Sequence, residues 1–379
     1  MNVLIVVTHL LGTGHLSRAL TLGRAFAQAG HTVSVLSGGM PAPHMDQTGV
    51  TVLQMPPLCS DGTNFTTLLD DAGNVADHAY LSRRKLAGVQ ALHDVAPDVL
   101  ITELFPFGRR SLSAEFTAIL DAAQALPNRP VVLCSVRDIL APPSKPSKAE
   151  KAREILLRYF DGVLVHSDPM ITQLAKSWPI DDDLSELLKY TGYVAPAAAA
   201  PHPDGVGQGE VLVSAGGGSV GQSLFEAAID AAKQSELPWR LLVGGKDASE
   251  RIAALRQRAG SLDITIEPVR PDFRQMLAGA AASVSMCGYN TALDLLQSGV
   301  PAVLVPFDDG GEVEQTLRSQ SLAEQSAMSV VMAQDLTAHS LLRSLNEVVA
   351  QGPRHNLNVD FDGAVQTVRI AQDMCEDRA

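Results

Sequence analysis

The stretch from Ala282 to Gln315, ASVSMCGYNTALDLLQSGVPAVLVPFDDGGEVEQ, limits the fold of this chain more than any other. Ala282–Met286 is an apolar run short enough for a buried strand, and Val300–Pro306 is a second. Between them Ala292, Leu293 and Leu296 recur at helical spacing beside Thr291, Leu295 and Ser298, and Gly299 supplies a stop. Cys287-Gly288-Tyr289-Asn290 is therefore a strand-to-helix turn. In doubly wound α/β sheets such turns lie where ligands bind. Free N–H groups at a helix start can hold an anion such as a diphosphate.

The same alternation runs through the whole chain. Asn2–Val7 is a β-branched run suited to a central parallel strand, Leu11-Gly12-Thr13-Gly14-His15 is a glycine turn, and Leu16–Ala29 is a helix stopped by Gly30. Val33–Leu36, Val50–Gln54, Val99–Thr102, Val131–Ser135, Val163–His166 and Tyr190–Tyr193 read as further strands. His78–His93, Ala149–Phe160 and Pro169–Trp178 read as helices between them. Cys59–Gly73 is a polar loop with turn chemistry. The third glycine of a dinucleotide fingerprint is replaced by Ser17, which argues against a nicotinamide or flavin site.

Alanine and proline dominate residues 196–203, the clearest linker, and behind it the pattern restarts. Glu210–Ser214 runs into Gly216-Gly217-Gly218-Ser219 and the helix Gln222–Gln234. Trp239–Val243, Ile264–Ile266 and Ser329–Met332 are strands; Arg274–Ala280, Leu336–Ala350 and Gly363–Met374 are helices. The reading is an α/β chain of two Rossmann-like doubly wound domains facing across a cleft, residues 1–195 and 204–355. Such a cleft would gather both glycine turns.

Charge narrows the function. The net charge is −13 at pH 7, against general nucleic-acid binding. Through Ala195 there are 16 Lys and Arg against 19 Asp and Glu; the remainder has 13 against 23, so the acidity belongs to the second half. Four cysteines lack metal-ligand spacing and read as reduced thiols, consistent with a cytoplasmic location. No apolar run has the length of a membrane span. Arg83-Arg84-Lys85, Arg109-Arg110 and the Lys145–Arg158 stretch would form a basic face, with Ile155, Leu156 and Phe160 making an interfacial helix for peripheral membrane contact.

The candidate base is His15, at a helix start that disfavours imidazolium. A diphosphate would lie on the N–H groups of Gly217, Gly218, Gly288 and Tyr289, a nest able to replace a metal. Direct displacement with one base inverts the anomeric carbon, through an oxocarbenium-like state. Glu103, Arg137 and Asp138 end strands on the acceptor side, where structural ion pairs are the bland alternative. Asp181-Asp182-Asp183 reads as a solvated run, and Asp308-Asp309 lacks further ligands for a metal. Adjacent His166-Ser167-Asp168 would point in different directions and make no triad.

Gly12-Thr13-Gly14-His15, Ser214–Ser219 and the span from Cys287 to Gln315 together resemble the MurG-like GT-B glycosyltransferases, of glycosyltransferase family 28 type. The likeness covers nearly the whole chain in order and spacing, weakening in the middle of the first half. It implies an inverting, metal-independent hexosyltransferase with no cofactor beyond its nucleotide-sugar substrate, by resemblance a UDP-sugar. The acceptor would be a sugar, a lipid or a lipid-linked hydroxyl. By resemblance Asp294, where the family more often has glutamate, holds the ribose. Glu314 and Gln315 would meet the sugar hydroxyls, with Gly216, Ser219 and Asn290 completing the donor site. Residues 363–379 would pack back on the first domain. Gly12, Gly14 and Arg18 fall on the acceptor side. Gly14-His15-Leu16-Ser17-Arg18 also resembles the start of the UDP-sugar hydrolases of the pseudaminate pathway, in which water replaces the acceptor. A protein that binds a nucleotide sugar without turnover is the non-catalytic alternative.

Overall fold

A computed structural model describes residues 1–60, 67–308, 311–355 and 359–378. Asp309 and residues 61–66 of the expected Cys59–Gly73 loop lie outside them. The chain divides into two compact units. One comprises Met1–Pro169, Trp178–Ala195 and Asp360–Ala379, the other Met170–Ser177 and Pro196–Val359.

In the first unit the chain order is β1 (Asn2–Val7), α1 (Gly14–Gln28), β2 (Thr32–Gly39), β3 (Thr51–Ser60), β4 (Leu68–Leu69) and α2 (His78–Val95). It continues with β5 (Val99–Glu103), α3 (Ser113–Gln124), β6 (Val131–Arg137), α4 (Pro146–Tyr159), β7 (Gly162–His166), α5 (Asp182–Leu187) and β8 (Leu188–Tyr190). The strands form one sheet, ordered β4-β3-β2-β1-β5-β6-β7-β8. All neighbours are parallel except β3 and β4. Because β1 is bounded by β2 on one side and β5 on the other, the winding reverses between β1 and β5. The connections after those two strands leave in opposite directions and open a crevice at their C-terminal ends. Strands β1, β5 and β7 are buried on both faces, as their unbroken Val, Leu and Ile content requires.

The second unit follows the same plan with six parallel strands. Its elements are β9 (Val211–Ser214), α6 (Gln222–Ala232), β10 (Trp239–Val243), α7 (Ala248–Ala259), β11 (Thr265–Pro268), α8 (Phe273–Leu277) and β12 (Ala282–Ser285). Then come α9 (Tyr289–Ser298), β13 (Ala302–Leu304), α10 (Glu314–Leu322), β14 (Met328–Val330) and α11 (Ala338–Gln351). The sheet order β11-β10-β9-β12-β13-β14 puts the reversal between β9 and β12. Its core joins Leu224, Phe225 and Ile229 of α6 to Val213, Val243 and Val284, with Leu341 and Leu345 of α11.

The last helix, α12 (Gly363–Glu376), belongs to the first unit. Val368 and Ala371 enter the same core as Leu16, Ala19 and Leu20 of α1. Its entry is tight. A Cβ on Gly363 would lie 2.4 Å from the Gly192 carbonyl oxygen.

Three expectations need correction. Pro169–Trp178 is not an α-helix; it holds turns and one 3-10 turn at Leu174–Lys176. Its residues are pinned at separate points, Lys176 to Glu324 at 2.7 Å and Trp178 edge-on to Phe107 at 5.1 Å, and tertiary contacts override the local preference. Arg84 does not contribute to a basic face. It is fully buried, its Nε and Nη2 donating to Glu115 at 2.9 and 3.0 Å and its Nη1 to the carbonyl oxygens of Gly38 and Pro56. Nor do Leu156 of α4 and Phe160, the residue just after it, face outward: both are buried, because an amphipathic helix in a doubly wound fold spends its apolar stripe on the sheet. Among the described residues no helix is long and apolar enough to cross a membrane.

Candidate functional site

The reversal between β1 and β5 brings His15 and Glu103 together although 88 residues separate them. Glu103 is the last residue of β5, one strand over from β1, and His15 stands in the first turn of α1, which follows β1. The His15 Nδ1 lies 2.9 Å from Glu103 Oε1. Arg18, one turn further along α1, donates through Nε to Glu103 Oε2 at 3.3 Å and through Nη2 to Oε1. From β6 the Ser135 hydroxyl donates to Oε2 at 2.6 Å.

These contacts fix the proton inventory. Glu103 is 1% exposed, and burial alone would push its carboxyl up. Arg18 and His15 outweigh that burial and hold it well below the usual carboxylate range. An ionised carboxylate only accepts, so Nδ1 of His15 must be the protonated nitrogen. Nη2 of Arg18 comes within 3.3 Å of that nitrogen, but two donors cannot bond; both point at Glu103. The lone pair is left on Nε2, which has no hydrogen bond among the described residues, and the side chain keeps 19% of its surface exposed.

The ring is neutral, for a reason other than the expected one. Helix α1 starts at Gly14, and the chief cause is burial, which lowers the His15 pKa to about 4. Glu103 pulls the other way, while Arg18 and Arg109 add to the depression. Arg109 is held close by donating its Nε to the Thr8 carbonyl oxygen at 2.5 Å, and its own pKa falls to about 10 through burial.

The remaining acceptor-side candidates divide. Gly12 and Gly14 are exposed, and an added Cβ would meet nothing within 4 Å at either. Arg137 is electrostatically coupled to Arg109. Asp138 is 2% exposed and accepts at Oδ1 from the N–H of Ile139 at 2.8 Å, a local turn bond. His166, Ser167 and Asp168 do point apart. His166 faces Ser135 and Thr191, Ser167 donates to the Asp168 carbonyl, and Asp168 accepts from the Asp360 N–H.

In the second unit both glycine turns stand at the β9/β12 reversal, where Ser214 and Ser285 are register partners. Gly217, Gly218 and Ser219 are exposed, and Gly216 has φ +80. A second pair packs under this loop. A Cβ on Gly244 would lie 2.3 Å from the Gly216 carbonyl oxygen, and one on Gly245 2.2 Å from Ser219 Oγ. Ser219 in turn donates to Asp247. Gly288 caps α9, and Tyr289 and the exposed Asn290 open it.

Two carbohydrate-binding candidates already have partners within the unit. Asp294 receives the Nε of Arg274 at 2.8 Å, and burial pushes its carboxyl up against that pull. The side-chain amide oxygen Oε1 of Gln315 accepts from the N–H groups of Cys287 at 3.0 Å and Phe307 at 3.2 Å, which clamps the turn. Glu314 is the first residue of α10, and its N–H donates to Glu312 at 2.6 Å. No cluster of three or more potential metal ligands occurs among the described residues.

Ser135, His166 and Thr191 were not among the site residues expected from sequence. For Ser135 and His166 the signal is a polar residue following an apolar run, Cys134-Ser135 and Val165-His166, as Glu103 follows Thr102; Thr191 has none of this kind.

Residues 212–365 match the glycosyltransferase family 28 C-terminal domain. The chain is 27% identical over 96 residues to UDP-N-acetylglucosamine--N-acetylmuramyl-(pentapeptide) pyrophosphoryl-undecaprenol N-acetylglucosamine transferase 1 of Bacillus cereus. That match covers 25% of this chain and 26% of the relative, so the chain spans about a quarter of the length of the curated protein it matches. Structural likeness is far more extensive. MurG of Acinetobacter baumannii superposes with a TM-score of 0.65 at 17% identity, over 99% of this chain and all of that one. The glycosyltransferase VinC, in complex with dTDP, superposes with a TM-score of 0.62 at 15% identity, over 98% and 95%.

Proposed function

We propose that this chain, a MurG-like GT-B protein whose second unit carries a glycosyltransferase family 28 domain, is an inverting glycosyltransferase using a nucleotide diphosphate sugar. The observation that carries the reading is the His15–Glu103 pair. A buried carboxylate holds Nδ1, and a neutral ring leaves Nε2 unprotonated and partly open. An acceptor hydroxyl gives its proton to Nε2 while its oxygen bonds to the anomeric carbon. The bond from that carbon to the diphosphate oxygen breaks on the opposite face, and the nucleotide diphosphate departs with the electron pair. One displacement inverts the configuration.

The departing diphosphate needs preorganised donors. The N–H groups of the exposed residues Gly217 and Gly218 and the start of α9 at Tyr289 would supply them without needing a metal. Asp294 has one oxygen tied to Arg274 and can offer the other to a ribose hydroxyl. The name of the Bacillus cereus relative supports a UDP-sugar as donor and a lipid-linked sugar as acceptor.

Release of UDP from a panel of UDP-sugars, with and without polyprenyl-diphosphate-linked acceptors, tests the proposal. Acceptor-dependent release is expected, falling by about 10² to 10⁴ in His15→Ala. Free sugar formed at full rate without acceptor would instead identify a hydrolase. Full activity in His15→Ala would remove the histidine from the mechanism.

A further inference from the structure

The hydrogen bonds that reach Glu103 do not end at Ser135. Ser135 Oγ also lies 3.0 Å from His166 Nε2 on β7, and His166 Nδ1 lies 2.9 Å from the Thr191 hydroxyl just past β8. Register explains the alignment. Glu103 is paired with Ser135, and Arg137, two residues on, is paired with His166, so Glu103, Ser135 and His166 share one face of the sheet. All four residues are at most 1% exposed. A polar chain with no water access must satisfy its own donors and acceptors.

The direction of its protons can be worked out. Ser135 has one hydroxyl proton, and its 2.6 Å contact is with an ionised carboxylate. A charge-assisted bond of this kind outweighs one to a neutral ring nitrogen. The Ser135 proton therefore goes to Glu103, and His166 must donate from Nε2 to the serine oxygen. Burial lowers the His166 pKa to about 3, so its ring carries one proton, held on Nε2; Nδ1 lies against the Thr191 hydroxyl, which also reaches the Gly192 carbonyl oxygen at 2.8 Å. Between His166 and Glu103 both protons, on Nε2 and on the Ser135 hydroxyl, are aimed at Glu103.

We propose that His166 is a positioning residue for His15: through Ser135 it orients the Glu103 carboxylate and takes up part of its charge, and so holds the His15 ring in the tautomer with Nε2 unprotonated. In its consequence for turnover the inference rests on His15 acting as base, but its physical content does not. The charged groups facing His15 are Glu103 on β5, Arg18 on α1 and Arg109 beyond β5; those facing His166 are Arg18 and Glu103.

Imidazole ¹⁵N–¹³C spectra of the full-length protein labelled at histidine test it, with rings assigned by His15→Gln and His166→Gln. In the unsubstituted protein His15 should be an Nδ1–H tautomer and His166 an Nε2–H tautomer at pH 7. Removing the serine donor leaves more charge on Glu103 for His15. Ser135→Ala should therefore raise the His15 pKa by about one unit. His166→Leu should do the same, whereas His166→Gln, whose amide can still donate to Ser135, should stay near the original value. A His15 ring unmoved in both Ser135→Ala and His166→Leu overturns the proposal, as does His166→Gln shifting as far as His166→Leu. If His166→Leu does not fold, Ser135→Ala alone decides. Ring shifts in a protein that turns over no UDP-sugar would uphold the inference while the transferase reading fails. Unmoved rings in a protein whose transfer depends on His15 would overturn the inference alone.

Discussion

Glu103 shows how a single side chain depends on charge compensation. Its two oxygens accept from Arg18, His15 and Ser135 in a place with almost no solvent. Glu103→Gln keeps the shape but removes the charge, leaving Arg18 buried without a counter-ion and Nδ1 of His15 facing an amide. Chemical denaturation should report a loss of about 3–5 kcal/mol, the usual cost of breaking a buried pair from one side. Sugar transfer should fall with it. The low pKa of His15, about 4, also predicts the acid side of the pH profile. For transfer by the unsubstituted enzyme, kcat/KM should begin to fall near pH 4, not near the ordinary 6.5 of histidine. A limb near 6.5 would show that the ring is hydrated in solution. Sequence offered His15, Arg18 and Glu103 as candidates but not their bonding. Local spacing does not say which strand lies beside β1, and only that neighbour decides which carboxylate the ring meets.

Among the elements, the α2–α3 pair is held by a buried staple. Arg84 ties Glu115 of α3 to the carbonyl oxygens of Gly38 and Pro56. Arg84→Met should destabilise the protein, by about 3–5 kcal/mol, because Glu115 is stranded. Adding Glu115→Leu should recover much of that loss in the same urea titration, since an apolar pair needs no counter-charge. The sequence Arg83-Arg84-Lys85 reads as one basic run, yet a helix turns successive residues about 100° apart, so only part of such a run can face water. The paired glycine loops of the second unit give another test. Gly245 has φ +100, and its Cβ would collide with Ser219 Oγ. Gly245→Ala should weaken UDP binding in calorimetric titration about tenfold or more, from roughly 1–3 kcal/mol of backbone strain.

For the molecule as a whole, two effects should appear in unfolding experiments. Helix α12 completes the first unit from the far end of the chain, and Gly363→Val would force its start off the Gly192 carbonyl. Scanning calorimetry should then show the first unit melting earlier, with the transition of the second unit little changed. Acid is the other effect. His15 and His166 have folded pKa values of about 4 and about 3, below the ordinary histidine value of 6.5. Between those limits the unfolded chain binds more protons, so stability is complete above pH 6.5 and is lost as pH falls toward 4 and then 3. Urea midpoints measured from pH 7 to pH 4 should decline, and less steeply in His166→Gln. A flat response would mean that both rings titrate normally in the folded protein.

Apolar strands running into glycine turns, repeated on either side of the Ala-Pro linker, were enough to specify two parallel α/β units with a helix behind each turn. Periodicity and turn chemistry are local, and the chain itself carries them. Strand order is not local. Sheet topology made neighbours of β1 and β5, of β5, β6 and β7, and of β9 and β12. Residues separated by tens of positions thereby became hydrogen-bond partners; burial then kept His15 and His166 neutral, while Arg18 and His15 kept Glu103 ionised. Sheet topology also decided that Arg84, Leu156 and Phe160 face inward, because each helix must cover the sheet before it can offer a surface to anything else.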